Sequence, residues 1–425
     1  MLTSRNNGAA PAVRLSGLLL FLFILAAAPA AWSQQHPSAP APAAPSSTCI
    51  DCHSSLDAPL KVTAEQHMSD IHGQKGLGCN DCHGGDPTSA DNAMDPKKGF
   101  IGKPKRADIP KLCARCHSDG AYMRKYNPSL RTDQLAQYKT SIHGQRLAKG
   151  DTNVAVCTDC HGVHGIKPAS DAQSKVNPLN VVSTCGACHA DPAHMKPYGI
   201  PTDQVAGYNA SVHHDALAVR GDLSAPTCVT CHGNHGAAPP GVSSVENVCS
   251  NCHVFQAQLF DGSPHKAAFA AAGMPGCVTC HSNHKIKHPD DAMLGSGSQS
   301  VCTNCHTGGD AGLQQAIAMH KDLSDLDSAI AKADALIDHA ERSGMEVSQA
   351  KLSQTEARAA LTKARVSIHS FSAAGIKADV QQGNKLAAAD LAAGEQAMAE
   401  RDYRRRGLGI AVLLILLTIG GLWLF

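Results

Sequence analysis

Cysteine and histidine carry most of the chemistry available to this chain, and they recur in one arrangement, Cys-x-x-Cys-His. The copies fall at Cys49, Cys52 and His53; Cys79, Cys82 and His83; Cys113, Cys116 and His117; Cys157, Cys160 and His161; Cys185, Cys188 and His189; Cys228, Cys231 and His232; Cys249, Cys252 and His253; Cys277, Cys280 and His281; and Cys302, Cys305 and His306. All 18 cysteines lie inside these motifs. Two thiols at this spacing can add to the vinyl groups of a porphyrin as thioethers, and the adjoining histidine can coordinate the iron from that side. The arrangement predicts nine covalently bound c-type haems with the motif histidines as proximal iron ligands. A zinc site does not need a histidine after every second cysteine. A disulfide framework would not repeat one two-residue gap throughout.

Around the motifs the chain repeats itself. The stretch from Cys113 to Gly165 aligns with that from Cys185 to Gly236. Each runs from one motif through Thr-Asp-Gln (132–134, 202–204), a tyrosine (Tyr138, Tyr208) and Ser-x-His (His143, His213) to a second motif. Each then places a histidine three residues beyond that motif's own histidine, at His164 and His235. The stretch from Cys49 to His83 has Asp70-Ile71-His72 in the Ser-x-His place but lacks the later histidine. The stretch from Cys249 to His284 has Ser263-Pro264-His265 and His284, with a shorter connector. The ninth motif opens a half-unit with Ala318-Met319-His320.

Built of paired motifs, residues 49 to about 320 resemble the bacterial multihaem cytochromes c of the cytochrome c3-like and c554-like families. The resemblance implies electron carriage and irons held between two histidines.

Fifteen of the 24 histidines lie outside the motifs. Nine irons need nine distal ligands or leave a position open. The repeat selects His72, His143, His213, His265 and His320 in the Ser-x-His slot and His164, His235 and His284 in the later slot. A motif covers one face of its own haem, so a histidine three residues on cannot easily reach the other face. His164, His235 and His284 are therefore expected on neighbouring haems, which would bring successive haems into contact. The ninth ligand stays open between His67 and His369. His67 stands where other units have Tyr138, Tyr208 and Phe260. His369 faces His320 if the helices that follow fold as a hairpin, and one of the two is expected on a haem at the top of that hairpin, foremost His320 on the iron at Cys302 and Cys305. Met123 and Met195 could ligate iron, but packing suits them better.

The elements that position these residues follow from composition. Aromatics make up 4% of the chain, few for a core of side chains, so porphyrins are expected to form the core and regular structure is expected to be sparse. From Asp310 onward Ala, Leu, Lys and Glu dominate, and Leu313, Ile317, Leu323, Leu336 and Ile337 follow a helical period. Helices are expected at 310–343, 346–374 and 376–406, with Gly344 and Gly375 as stops. Leu408–Phe425 is uncharged and long enough to cross a bilayer core. The expected fold is mostly α and irregular: a haem-cored region, an antiparallel helical bundle and one C-terminal transmembrane helix. Its segments are a signal peptide at 1–33, a Pro/Ala-rich linker at 34–48, the haem region at 49–308, the bundle at 309–406 and the anchor at 407–425.

Arg401, Arg404, Arg405 and Arg406 would by themselves place their end of the anchor in the cytoplasm. Haem attachment outside the cytoplasm overrides that rule and sets the haem region in the periplasm of a bacterial cell, with the anchor in the cytoplasmic membrane. The formal charge is +1, and two propionates per haem would make the loaded protein acidic, which excludes nucleic acid as a partner. The function expected is electron transfer between a membrane quinol-oxidising or cytochrome b-type subunit and periplasmic or outer-membrane acceptors. The rival reading is a reductase or oxidase of a nitrogen or sulfur oxyanion with one open haem. Some such enzymes carry a Cys-x-x-Cys-Lys motif, and none occurs here. A filament subunit is a third reading, disfavoured by the anchor.

Overall fold

The computed structural model describes residues 47–239 and 241–424. The expected signal peptide and all but the last two residues of the linker lie outside the described residues. Among the described residues the regular structure is helical throughout, with no strand.

The haem region consists of short helices joined by turns. Seven motifs occupy α-helical turns: Thr48–His53, Cys79–His83, Ile109–His117, Cys157–His161, Val181–His189, Cys228–His232 and Gly276–His281. The motifs at Cys249 and Cys302 begin in 3₁₀ turns, Val245–Asn251 and Cys302–Asn304. One turn is what the chemistry requires, because residues three and four apart then share a face. The second variable residue often closes its own turn. The Asp81 and Asp159 carboxylates accept the backbone N–H of Gly78 and Val156 at 2.6 and 2.7 Å, and the Thr230 hydroxyl accepts that of Thr227 at 3.1 Å. After the even-numbered motifs the chain turns sharply at positive φ, through Gly84, Gly162, Gly233 and Ser282.

Three long helices follow: α1, Ala311–Arg342; α2, Ser348–Ser367; and α3, Ala373–Trp423. They form a bundle whose core joins Leu323, Leu326 and Ile330 of α1, Ala357 and Leu361 of α2, and Ile376 and Val380 of α3. Asp310 caps α1 by accepting the Leu313 N–H at 2.8 Å. Gly344, at φ 79°, ends α1 in the left-handed conformation that glycine adopts without strain. The second break differs from expectation. Gly375 lies inside α3, and the chain turns at Phe371 (φ 54°). The Phe371 ring lies against His265, centroids 4.0 Å apart, so the turn is held by contact with the haem region.

The last part of α3 packs on nothing: Leu408, Leu413, Leu416 and Leu422 are all exposed. It is the one helix among the described residues that is long and apolar enough to cross a membrane.

Candidate haem ligand pairs

Eight motif histidines face a histidine from elsewhere in the chain. The pairs and centroid separations are His83–His164 at 6.0 Å, His117–His72 at 6.0 Å, His161–His235 at 6.1 Å and His189–His143 at 6.1 Å. They continue with His232–His284 at 6.0 Å, His253–His213 at 6.4 Å, His281–His369 at 6.1 Å and His306–His265 at 5.9 Å. Two imidazole nitrogens each about 2 Å from one metal set their ring centroids about 6 Å apart. The spacing is too wide for direct packing and suits one ion between the rings.

The pairs follow a rule. A Ser-x-His histidine faces the motif two further on: His72 lies between the first and second motifs and faces the third, and His143, His213 and His265 repeat the step. A histidine of the later slot faces the motif two back: His164 follows the fourth motif and faces the second, and His235 and His284 do the same. None faces the motif it follows. At the C-terminal end the rule runs out for the eighth motif, and His369, between α2 and α3, stands opposite His281 instead.

Repeated local structure holds the first slot. Its leading residue caps a short helix that carries the histidine at the second position. The Asp70 carboxylate accepts the His72 N–H at 2.8 Å, and the Ser141 hydroxyl accepts the Gly144 N–H at 3.1 Å. The tyrosine three residues earlier donates to the backbone just ahead of the next motif: Tyr138 to the Ala155 carbonyl at 2.8 Å and Tyr208 to that of Pro226 at 2.9 Å. His143 and His213 are thus tied to the motifs that follow them. The two slots also meet: Ile71 N–H donates to the Ile166 carbonyl at 2.7 Å, and Val212 N–H to that of Ile286 at 2.9 Å.

Several rings are fixed through Nδ1, which leaves Nε2 for a metal. His53 donates to the Leu60 carbonyl at 2.8 Å, His83 to that of Gly102 at 2.8 Å and His369 to that of Val366 at 2.9 Å. His306 Nδ1 lies 3.0 Å from Asp310, the residue that caps α1. His72 Nδ1 lies 2.9 Å from Asp70. Burial raises the Asp70 carboxyl, but bonds from His72, Ile166 and Gly165 more than offset this and bring it to about 2. The same Asp70 bond raises His72 against its burial. Burial pushes the other paired rings that shift downward, among them His117, His161, His232 and His369. That favours the neutral imidazole, the form that binds metal.

Consecutive motifs are neighbours. Cys49 approaches Cys79 within hydrogen-bonding reach, as do Cys113 and Cys157, Cys185 and Cys228, and Cys249 and Cys277. The second thiols continue the series: Cys82 senses Cys113 and Cys116, Cys160 senses Cys188, Cys231 senses Cys252, and Cys280 senses Cys302 and Cys305. The nine motifs therefore follow one another in space in their sequence order.

These residues fit c-type haem. Paired thiols adjoin each proximal histidine, and imidazole pairs stand a metal's width apart. Apolar side chains beside the motifs, such as Ile142, Val163 and Leu179, are over half exposed to anything but a cofactor. Other residues fall elsewhere. His320 faces no motif histidine; it lies beside Gly295 and lines a cavity of about 290 Å³ with Leu294 and Ile317. His67 lies over Gly73 and pairs with no ring. Met123 and Met195 are buried in packing, and His194 and His214 rest on Tyr198 and Tyr208.

The family model described as cytochrome c3 matches residues 71–190. That segment holds both members of three of the eight histidine pairs, His72–His117, His83–His164 and His143–His189. A curated relative, the C-type polyheme cytochrome OmcC of Geobacter sulfurreducens, is 25% identical over 119 residues, covering 28% of this chain and 14% of that protein. No solved structure matches. The chain thus carries a cytochrome c3-like multihaem segment, and electron transfer is the activity this class suggests.

The partner of each motif was not legible in the repeat, which shows slots but not offsets. His369 lies outside the repeat altogether, and only its helical position pointed to it.

Proposed function

We propose that this protein is a membrane-anchored, periplasm-facing nonahaem cytochrome c that carries electrons from a membrane quinol-oxidising or cytochrome b-type subunit to periplasmic or outer-membrane acceptors. The observation that carries the reading is the set of eight histidine pairs, each joining one motif to a distant segment, on motifs stacked in sequence order. In this reading Cys49 through Cys305 attach nine haems. The nine motif histidines are proximal ligands, and His72, His143, His164, His213, His235, His265, His284 and His369 are distal ligands. The bound haem supplies one-electron redox chemistry at its iron. The chain's own residues fix the ligand planes and hold neighbouring sites close enough for electrons to pass. The exposed end of α3 supports a bilayer anchor, and no further chemical substrate is invoked.

Intact mass of the exported protein tests the cofactor count, and low-temperature magnetic circular dichroism tests ligation. Nine haem additions and at least eight low-spin bis-histidine irons are expected. Eight or fewer additions in fully matured protein, or several high-spin irons, would overturn the reading.

A further inference from the structure

The pairing rule leaves one motif without a donor. An odd-numbered motif takes its opposite histidine from the Ser-x-His slot lying between the preceding odd and even motifs. The first motif has no preceding pair. Among the described residues no imidazole lies opposite His53. His67, the one slot-like histidine nearby, lies over Gly73 and pairs with no ring. Yet the proximal side of this site is fully built. The motif occupies a helical turn, Thr48–His53, and the Leu60 carbonyl holds His53 Nδ1 at 2.8 Å. The opposite end of the chain of motifs is treated differently. There the missing donor is replaced by His369, brought in on a separate helix pair.

We propose that the iron held by His53 keeps an exchangeable coordination position, open to a small lone-pair donor: a neutral diatomic on the ferrous iron or a small anion on the ferric iron. The inference rests on the ligation reading above. It makes the end of the motif series farthest from the bundle a binding site as well as a terminus of electron transfer. Electrons would reach it through the neighbouring motif, whose Cys79 lies within hydrogen-bonding reach of Cys49.

The test is carbon monoxide titration of the fully reduced, full-length holoprotein, together with magnetic circular dichroism of the oxidised form. One carbon monoxide per nine irons and one high-spin iron among eight low-spin ones are expected. Both signals should be lost in the Cys49→Ala/Cys52→Ala variant and unchanged in His67→Ala. No carbon monoxide uptake with nine low-spin irons would overturn this inference while leaving the ligation reading intact, and a new high-spin signal in His67→Ala would then identify the residue that fills the position. Uptake that survives loss of the two cysteines would also overturn it. Two or more carbon monoxide molecules per protein would instead strike the ligation reading itself. The wild-type stoichiometry decides even where the double variant fails to mature.

Discussion

A single histidine separates two accounts of the C-terminal end of the haem region. The Ser-x-His pattern favours His320 as a ligand, yet His265 faces His306 and His369 faces His281, while His320 sits beside Gly295. His369→Ala should therefore convert one iron to high spin, and His320→Ala should convert none; magnetic circular dichroism of the oxidised variants reads both. His320 occupies a slot whose target would be an eleventh motif, which the chain does not have. Histidine type and spacing made the slots legible, but the target of each depends on how distant segments pack. Ligand planes give a second residue-scale outcome. The rings are nearly perpendicular at His72–His117 (87°) and nearly parallel at His161–His235 (8°). Electron paramagnetic resonance should accordingly resolve more than one class of low-spin iron. Ser282 offers a third. It takes φ 64° and ψ −173°, where the other even-numbered motifs have glycine. That region is open almost only to glycine and costs other residues about 1–3 kcal/mol. Ser282→Gly should stabilise the protein by about 1 kcal/mol, read as a higher denaturation midpoint with unchanged haem spectra.

At the scale of elements, the bundle was the most legible part, because a helix with one apolar stripe advertises its own period. Helix α1 ends where Gly344 allows it. The break after α2 was misplaced at Gly375, since what sets it is Phe371 packing on His265, a contact no local pattern encodes. One position in the bundle works against stability. Asp390 on α3 is only 3% exposed, with one carboxylate oxygen lacking a partner. Burial chiefly raises its carboxyl, Asp334 and Glu356 add to the rise, and a bond from Ser353 partly opposes it. The unfolded chain gives up this proton near the ordinary value of about 4, below the folded protein, so stability falls as pH rises through the window between the two. Asp390→Asn removes the charge that must be buried. It should raise bundle stability by about 1 kcal/mol at neutral pH, with the gain fading below about pH 4. Helix melting of the two proteins at both pH values checks it.

For the whole molecule, the long helix α3 sets where the chain of motifs stands. It leaves its last packing contacts near Met398 and continues to Trp423. Those roughly 25 residues span about 37 Å, more than the ~30 Å hydrocarbon core of a bilayer. In the other direction, α3 begins at Ala373, just past His369. The His281–His369 pair therefore lies at the end of the bundle away from the candidate span, roughly 50 Å along the helix from the arginines at 401–406. Every paired histidine precedes residue 370, and the bundle core is complete before residue 400. Neither depends on the apolar tail. Truncation before Gly407 should release the protein from membranes while leaving its haem content and its low-spin spectrum unchanged. On the proposed function, reduction by soluble donors should persist and reduction from a membrane quinol pool should be lost. Fractionation at high salt, intact mass and reduction kinetics with each donor make the comparison. If the truncated protein stays with membranes at high salt, a second anchor exists, and residues at the N-terminal end become the place to seek it. If it is soluble but short of haem, the tail takes part in maturation, and the bundle is more than a stand for the motifs above it.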